Sequence, residues 1–298
     1  MKVNIAGITF KNPVTTASGT FSPKDSGKFY DISKLGAVIT KGVASIPWAG
    51  NETPRIAETY GGMINAVGLQ NPGVDKFIED DLSYLSNFDV PVIANVVGKS
   101  IPEYCDVVEK LNETNVAMME VNISCPNVKE GGISFGTNTN MASELTKQVR
   151  KISKKPLILK LTPNVTDITE IAKAVEAEGA DCISLINTLL SMRIDVYKKK
   201  PILANTMGGL SGPAIKPVAV RMVYQTRKAV KVPIIGLGGI MTGEDAVEFL
   251  MAGADAISVG TAALVNPMAP INIISELEEY MKMQGFKSIA ELKASFEY

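Results

Sequence analysis

The sequence contains no histidine, so the side chain that most often transfers protons near neutral pH is missing from all 298 residues. It contains only three cysteines, Cys105, Cys125 and Cys182, which are widely spaced and form no CxxC pair. This spacing provides neither a disulfide framework nor the ligand pattern of a zinc site, so no metal is expected. Any catalytic proton transfer must therefore use another group.

An excess of charge of either sign is also absent. Lys and Arg number 30, Asp and Glu number 31, and the net charge of −1 comes without a dense basic stripe, so nucleic acid is not an expected partner. No uninterrupted apolar run approaches the roughly 18 residues of a membrane span. The start, MKVNIAGITFKNP, is typical of a short β-hairpin around Gly7 and lacks the apolar core of a signal peptide. We expect a soluble cytoplasmic protein without membrane contact.

Eight short apolar runs recur along the chain, and segments with helical spacing separate most of them. The runs are PVTTASG (13–19), GAVITKG (36–42), PVIANVVG (91–98), MMEVNIS (118–124), PLILKLTP (156–163), DCISLINT (181–188), VPIIGLGG (232–239) and AISVGTA (256–262). Helices are expected at 72–85, 101–113, 141–153, 167–179, 216–230 and 243–253. This pattern favours an α/β fold, a (βα)8 TIM barrel in one domain over residues 1–298, rather than an open doubly wound sheet. The long connections 43–75 and 189–212 are loop insertions expected to lie over the C-terminal mouth.

In such a barrel the carboxyl ends of the strands surround the active site. Polar residues and glycines occupy those ends: Ser18, Lys41, Asn95, Asn122, Lys160, Asn187 with Thr188, Gly238 with Gly239, and Gly260 with Thr261. Lysine and asparagine side chains are costly to bury unpaired, so a ring of them predicts a polar ligand. The segments GLGGI, SVGTA and GGLSGPAIKP can present backbone N–H groups to a phosphate, which indicates a nucleotide-like ligand.

Two lysines and one thiol are the reactive side chains near these ends. Lys41 or Lys160 could form a Schiff base, and either could equally be a fixed cation beside a flavin. Cys125 lies just beyond its strand, in NISCPN, whereas Cys105 and Cys182 are interpreted as buried structural residues. A thiol with the ordinary pKa of about 8.5 is only slightly ionised at neutral pH, so Cys125 needs local help to act as a base.

Nine distinctive segments occur along nearly the whole chain: ASGTF, NAVGLQNPG, IANVVG, NISCPNVKEGGISFGTN, LKLTPNV, LINTLLSMRID, GGLSGPAIKPVAVRMVY, IIGLGGI and SVGTA. Together they resemble the dihydroorotate dehydrogenases. The combination of NISCPN with NAVGLQNPG is highly specific. The resemblance implies a flavoprotein barrel with one FMN, which oxidises (S)-dihydroorotate to orotate in de novo pyrimidine (UMP) biosynthesis. It also implies that Cys125 is the base that removes a proton from C5 while a hydride passes from C6 to FMN.

The same resemblance implies two sets of binding residues. FMN would contact Ser18, Lys41, Gly42, Asn95, Asn122, Lys160, Ile186 and Gly212, with its phosphate on Gly238, Gly239, Gly260 and Thr261. The pyrimidine would contact Asn65, Asn122, Asn127, Asn187 and Thr188, and its carboxylate would meet Lys41 and the backbone of Ala66, Val67, Gly68 and Leu69.

The segment NAVGLQNPG is most similar to the NAD-linked class of the family, class 1B. Its catalytic subunit pairs with a separate subunit that carries FAD and a [2Fe–2S] cluster, and three scattered cysteines could not hold such a cluster in this chain. The resemblance therefore implies a homodimer joined by an electron-transfer subunit in a heterotetramer. The alternatives are a fumarate-using homodimer of the same family, dihydropyrimidine oxidation, a lysine Schiff-base lyase and a non-catalytic binding barrel.

Overall fold

The computed structural model of the protein describes residues 1–124 and 133–297. Within these residues the chain forms sixteen strands: β1 (Val3–Ile5), β2 (Ile8–Phe10), β3 (Val14–Thr16), β4 (Val38–Ile39), β5 (Ile56–Thr59), β6 (Gly62–Asn65), β7 (Val92–Val96), β8 (Met118–Asn122), β9 (Leu157–Lys160), β10 (Cys182–Leu185), β11 (Leu189–Met192), β12 (Ile194–Asp195), β13 (Lys200–Pro201), β14 (Met207–Ser211), β15 (Ile234–Leu237) and β16 (Ala256–Val259).

The same residues form twelve α-helices: α1 (Pro23–Ser26), α2 (Val74–Phe77), α3 (Ser83–Leu85), α4 (Ile101–Asn112), α5 (Ile133–Gly136), α6 (Thr139–Ile152), α7 (Ile168–Ala177), α8 (Lys216–Ala229), α9 (Gly243–Met251), α10 (Thr261–Val265), α11 (Ala269–Gln284) and α12 (Ile289–Ala294). A π-helical turn, Ile78–Leu82, connects α2 with α3. No helix in the described part of the chain is both long enough and apolar enough to cross a bilayer.

Eight parallel strands form the barrel, in the spatial order β3, β16, β15, β10, β9, β8, β7 and β4. A parallel bridge between Thr15 and Ala37 connects the two end strands, so the sheet is nearly closed. Each of the eight predicted runs contains one of these strands, which confirms the predicted TIM barrel. The antiparallel pairing of β1 with β2 confirms the N-terminal hairpin.

The helices around the barrel begin where local sequence favours a start. Ser100 accepts a hydrogen bond from the Glu103 backbone at the start of α4, and Thr242 and Asp245 form a capping box at the start of α9. All six predicted helices are present. The two C-terminal helices, α11 and α12, were not among the predicted ones.

The amino-terminal half of the barrel interior is apolar. Side chains from the barrel strands and from the hairpin meet there: Ile5, Phe10, Ala37, Ile39, Ile93, Met118, Ile158, Cys182, Ile235 and Ala256. Cys182 is fully buried in this layer, which confirms its structural interpretation. Cys105 is only half-buried, because it lies beside the core-facing residues of α4 rather than among them.

The interior becomes polar two residues further along the strands. Every second residue of a strand points to the same face, so Met118, Glu120 and Asn122 all lie on the inward face of β8. The buried polar side chains at this level come from several strands: Thr15, Asn95, Glu120, Lys160, Ser184 and Ser258. This polar layer forms the floor beneath the carboxyl ends of the strands.

The two long connections come together over the mouth. β5 and β6 from the first insertion join β14 and β11 from the second in one antiparallel sheet, in the order β11, β14, β6 and β5. Gly209 of β14 pairs with Asn65 of β6, which brings segments far apart in the chain into contact. The expected cover over the barrel mouth is confirmed, and this sheet is its main structure.

Candidate active site

A cavity of about 250 Å³ opens between the carboxyl ends of the barrel strands and the antiparallel sheet. This volume is close to that of small-molecule sites. Most residues of the two expected binding sets line it: Ser18, Lys41, Gly42, Asn65, Val67, Gly68, Leu69, Asn122, Lys160, Ile186, Asn187, Thr188, Gly212, Gly238, Gly239, Gly260 and Thr261.

Of the remaining expected site residues, two do not line the cavity and two lie outside the described residues. Asn95 is fully buried in the polar layer below the cavity. Ala66 is also buried, and its backbone N–H donates to the Arg55 carbonyl at 2.8 Å, so that N–H is already used within the protein. Cys125 and Asn127 lie outside the described residues.

The glycines at the ends of β15 and β16 form one end of the cavity. Gly238 and Gly239 have φ values of +130° and +81°, and their backbone N–H groups donate to no acceptor among the described residues. A β-carbon on Gly239 would lie 2.8 Å from the Gly212 carbonyl oxygen, so only glycine leaves this turn undistorted. Open backbone donors and the absence of side chains fit a phosphate group.

Hydrogen-bonded amide side chains at the ends of β8 and β10 form another part of the cavity wall. The Ser124 hydroxyl donates to Asn122 Oδ1 at 2.8 Å, and Asn187 Nδ2 donates to Ser124 Oγ at 2.7 Å. The Thr188 backbone N–H donates to Asn187 Oδ1 at 2.7 Å, which holds that amide in one orientation. These bonds hold the ends of β8 and β10 together and place Ser124, the residue before Cys125, behind this part of the wall.

Lys41 gives the cavity a positive charge. Burial, followed by the charge of Arg55, holds the pKa of the Lys41 ammonium below its ordinary value. No carboxylate among the described residues lies within ion-pair distance of Lys41. Nearby, Gly68 and Leu69 have φ values of +75° and +54°, and their backbone N–H groups make no hydrogen bond with the described residues. An unpaired cation beside open backbone donors suits an anionic ligand.

Lys160 provides a second cation at the floor of the cavity. Its side chain is 4% exposed, and its Nζ lies 3.7 Å from Oε1 of Glu120, which is fully buried. Glu120 was not expected from sequence reasoning to belong to the site. The available signal was a charged residue inside the apolar run MMEVNIS, two positions before Asn122 and therefore on the same face.

Known proteins with similar sequences share one description. The family model described as Dihydroorotate dehydrogenase matches residues 1–281. The chain is 61% identical over 296 residues to the protein of Alkaliphilus metalliredigens (strain QYMF) described as dihydroorotate dehydrogenase B (NAD(+)), catalytic subunit, covering 99% of this chain and 98% of that protein. It is 53% identical over 293 residues to the protein of the same description from Geobacillus sp. (strain WCH70), covering 98% of this chain and 94% of the relative.

A similar solved structure supports the fold alone. The crystal structure of DHODH in complex with ferulenol from Eimeria tenella matches with a TM-score of 0.81 and 22% sequence identity. The match covers 99% of this chain and 87% of that chain.

Proposed function

Since the chain belongs to the dihydroorotate dehydrogenase family, we propose that it is the FMN-containing catalytic subunit of an NAD-linked dihydroorotate dehydrogenase. It oxidises (S)-dihydroorotate to orotate in de novo pyrimidine biosynthesis, as a single barrel domain over residues 1–298 in the cytoplasm. One observation carries the assignment most directly. A single cavity combines a glycine turn for a phosphate, two lysines and a wall of amides.

The residues at the barrel floor fit FMN. Gly238 and Gly239 offer open backbone donors to its phosphate, with Gly260 and Thr261 beside them at the end of β16. Ser18, Gly42, Ile186 and Gly212 line the space above the polar layer, together with Lys41 and Asn122. Lys160 supplies a fixed cation, which favours the anionic reduced form of a flavin. Bound FMN supplies the acceptor for the hydride that leaves C6 of the substrate.

The other part of the cavity fits a flat, anionic pyrimidine. Lys41 and the backbone of Val67, Gly68 and Leu69 bind its carboxylate, because they offer a cation and unused N–H donors. The amides of Asn65, Asn122 and Asn187, with Thr188, bind the ring carbonyl and N–H groups. We assign Asn127 to the same set, although it lies outside the described residues.

We assign Cys125 as the base that takes the proton from C5. A chain without histidine requires another proton acceptor. Cys125 follows the carboxyl end of β8 in the sequence, and a cysteine thiolate can accept a proton. Support comes from Ser124, whose hydroxyl is held between Asn122 and Asn187 at the cavity wall. Lys41 also places positive charge in this cavity, which favours an ionised thiol.

The electrons then leave through a partner subunit. The relatives are described as catalytic subunits of NAD(+)-dependent enzymes. We propose a homodimer of this chain joined by subunits that carry FAD and a [2Fe–2S] cluster. Within this chain Cys182 lies inside the barrel and Cys105 on an outer helix, so these two thiols cannot ligate one cluster together.

Flavin content and half-reaction chemistry test the proposal. The purified chain should be yellow and release FMN on denaturation, and (S)-dihydroorotate should bleach the flavin anaerobically. The isolated chain should turn over with a dye acceptor but hardly with NAD. Rapid reoxidation by fumarate would instead assign the fumarate-using class, and a colourless protein from flavin-replete cells would contradict the proposal.

A further inference from the structure

A carboxylate lies beneath the cavity without reaching it. Glu120 is fully buried, on the inward face of β8, and does not line the cavity wall. Its Oε1 accepts a hydrogen bond from Asn95 Nδ2 at 2.5 Å, and its Oε2 accepts one from the Ser184 hydroxyl at 2.8 Å. Side chains from β7 and β10 therefore hold this carboxylate of β8 in one position.

The pairing of Glu120 with Lys160 is ionic rather than a close hydrogen bond. The Nζ–Oε1 distance is 3.7 Å, which is too long for a hydrogen bond. The ammonium donates no hydrogen bond to any described residue, yet it lines the cavity. Its positive charge is thus compensated from below, while its N–H donors remain available to a ligand above.

Stability alone is a weak reason for this arrangement. A buried ion pair loses hydration free energy on both partners, and apolar residues of similar volume are often as stabilising. The layer directly below is apolar, with Met118 and Ile158 at the preceding inward positions of the same two strands. An apolar residue at position 120 would continue that layer. The carboxylate therefore points to a role through the lysine above it.

We propose that Glu120 is a positioning residue that sets the reduction potential of the bound flavin through Lys160. This inference rests on the proposed function, because it requires FMN in the cavity. An isolated lysine stabilises the anionic reduced flavin strongly, and a compensating carboxylate weakens that effect. The reduced cofactor then passes its electrons on to the partner subunit more readily. Glu120 also holds the ammonium at one place under the cavity.

The test is the midpoint potential of bound FMN, measured anaerobically by dye equilibration in Glu120→Gln and in the unaltered protein. Removal of the negative charge should make the potential more positive. We expect the ratio of the protein's affinities for reduced and for oxidised FMN to change at least tenfold. For a two-electron couple this corresponds to a shift of about 30 mV in the midpoint potential. Ser184→Ala is the matched control, because it removes one hydrogen bond to the same carboxylate without changing its charge, and its potential should move far less.

A second pair of variants tests the coupling if Glu120→Gln alone does not fold. Lys160→Met leaves the carboxylate unpaired, so its melting temperature and the potential of its FMN should both fall. Adding Glu120→Gln to that variant should raise the melting temperature again, since the unpaired charge is removed, but should leave the potential nearly unchanged, since the lysine through which Glu120 acts is gone. A potential that rises on the second substitution as much as it fell on the first would refute an action through Lys160.

Different measurements refute the role of Glu120 and the proposed function. If Glu120→Gln binds FMN, is reduced by dihydroorotate and keeps the original potential, Glu120 is only a structural residue and the inference is wrong. If the unaltered protein holds no flavin, or holds flavin that dihydroorotate does not reduce, the proposed function itself is wrong.

Discussion

Asn187 donates a hydrogen bond to the Ser124 hydroxyl oxygen at 2.7 Å, and this bond joins the end of β10 to the residue that precedes Cys125. The Ser124 hydroxyl in turn donates to Asn122 at the end of β8. One buried hydroxyl thus orients two amides of the cavity wall and positions the chain at the point where Cys125 follows. We expect the reactivity proposed for Cys125 to depend on this contact.

Ser124→Ala should therefore slow reduction of the flavin by dihydroorotate. The substitution removes the hydroxyl that accepts from Asn187 Nδ2 and donates to Asn122 Oδ1. The lost bonds cost about 1–3 kcal/mol, so we expect a reduction rate at least tenfold lower with FMN content unchanged. Anaerobic stopped-flow absorbance measures the rate. Thr146→Ala is the control, because Thr146 is equally buried but bonds the Ala142 carbonyl within α6. Equal rates in Ser124→Ala and the unaltered protein would contradict the positioning role.

Cys125→Ser should keep FMN but severely slow flavin reduction near neutral pH. A serine hydroxyl is a much weaker acid than a thiol and is hardly ionised at this pH, so little base remains for the C5 proton. The same stopped-flow experiment should show the rate recovering as the pH rises. Cys105→Ser, on α4, is the control and should behave as the unaltered protein. Normal reduction by Cys125→Ser would remove the thiol from the mechanism.

Gly239→Ala should weaken FMN binding. Both the positive φ of +81° and the contact of a β-carbon at 2.8 Å from the Gly212 carbonyl oppose the substitution. Each lost hydrogen bond to a charged phosphate contributes about 1.5–3 kcal/mol, so the Kd for FMN should rise roughly 10- to 100-fold. Quenching of flavin fluorescence measures the Kd.

Gly285→Ala separates backbone strain from the loss of the phosphate site. Gly285 has a similar φ of +78° at the end of α11, and a β-carbon there would meet nothing within 4 Å. The Gly285→Ala variant should therefore lose some stability but bind FMN normally. A matching loss of FMN affinity in both variants would mean that Gly239 acts only through the fold.

Orotate binding should weaken at alkaline pH because of Lys41. Burial and the charge of Arg55 lower the pKa of its ammonium from the ordinary 10.5, so Lys41 loses its proton earlier on raising the pH than a solvent-exposed lysine does. The substrate carboxylate favours the charged form, and affinity should therefore be highest below that lowered pKa and fall as the pH rises through it. Titration calorimetry over this alkaline range measures the change.

Lys41→Met is the comparison for that pH dependence. It should bind orotate about 10- to 100-fold more weakly at neutral pH, because a charged hydrogen bond is lost. Its affinity should show a smaller alkaline decrease, since the titrating cation is gone. A decrease of the same size in both proteins would assign the pH dependence to the ligand or to another group.

The barrel could be predicted from local pattern because parallel strands inside an α/β fold are covered on both faces. Each strand is then a short apolar run, as in PLILKLTP, and the helices between them carry their own start signals. The sheet of β5, β6, β14 and β11 could not be predicted in the same way. β6 and β14 are far apart in the chain, and only the folded arrangement brings Asn65 opposite Gly209.

The sequence by itself determined the eight-stranded barrel, the polar residues at the strand ends and the family, because periodicity and contiguous motifs are local properties. Only the tertiary structure decided which of those polar residues meet the cavity and which support another residue. Asn95 lies below the cavity and bonds Glu120, whereas Lys160 lies above that carboxylate and lines the cavity. The physical reason is register. Inward-facing side chains of neighbouring strands come within bonding distance only when those strands pair in this register, and that pairing joins segments distant in the chain.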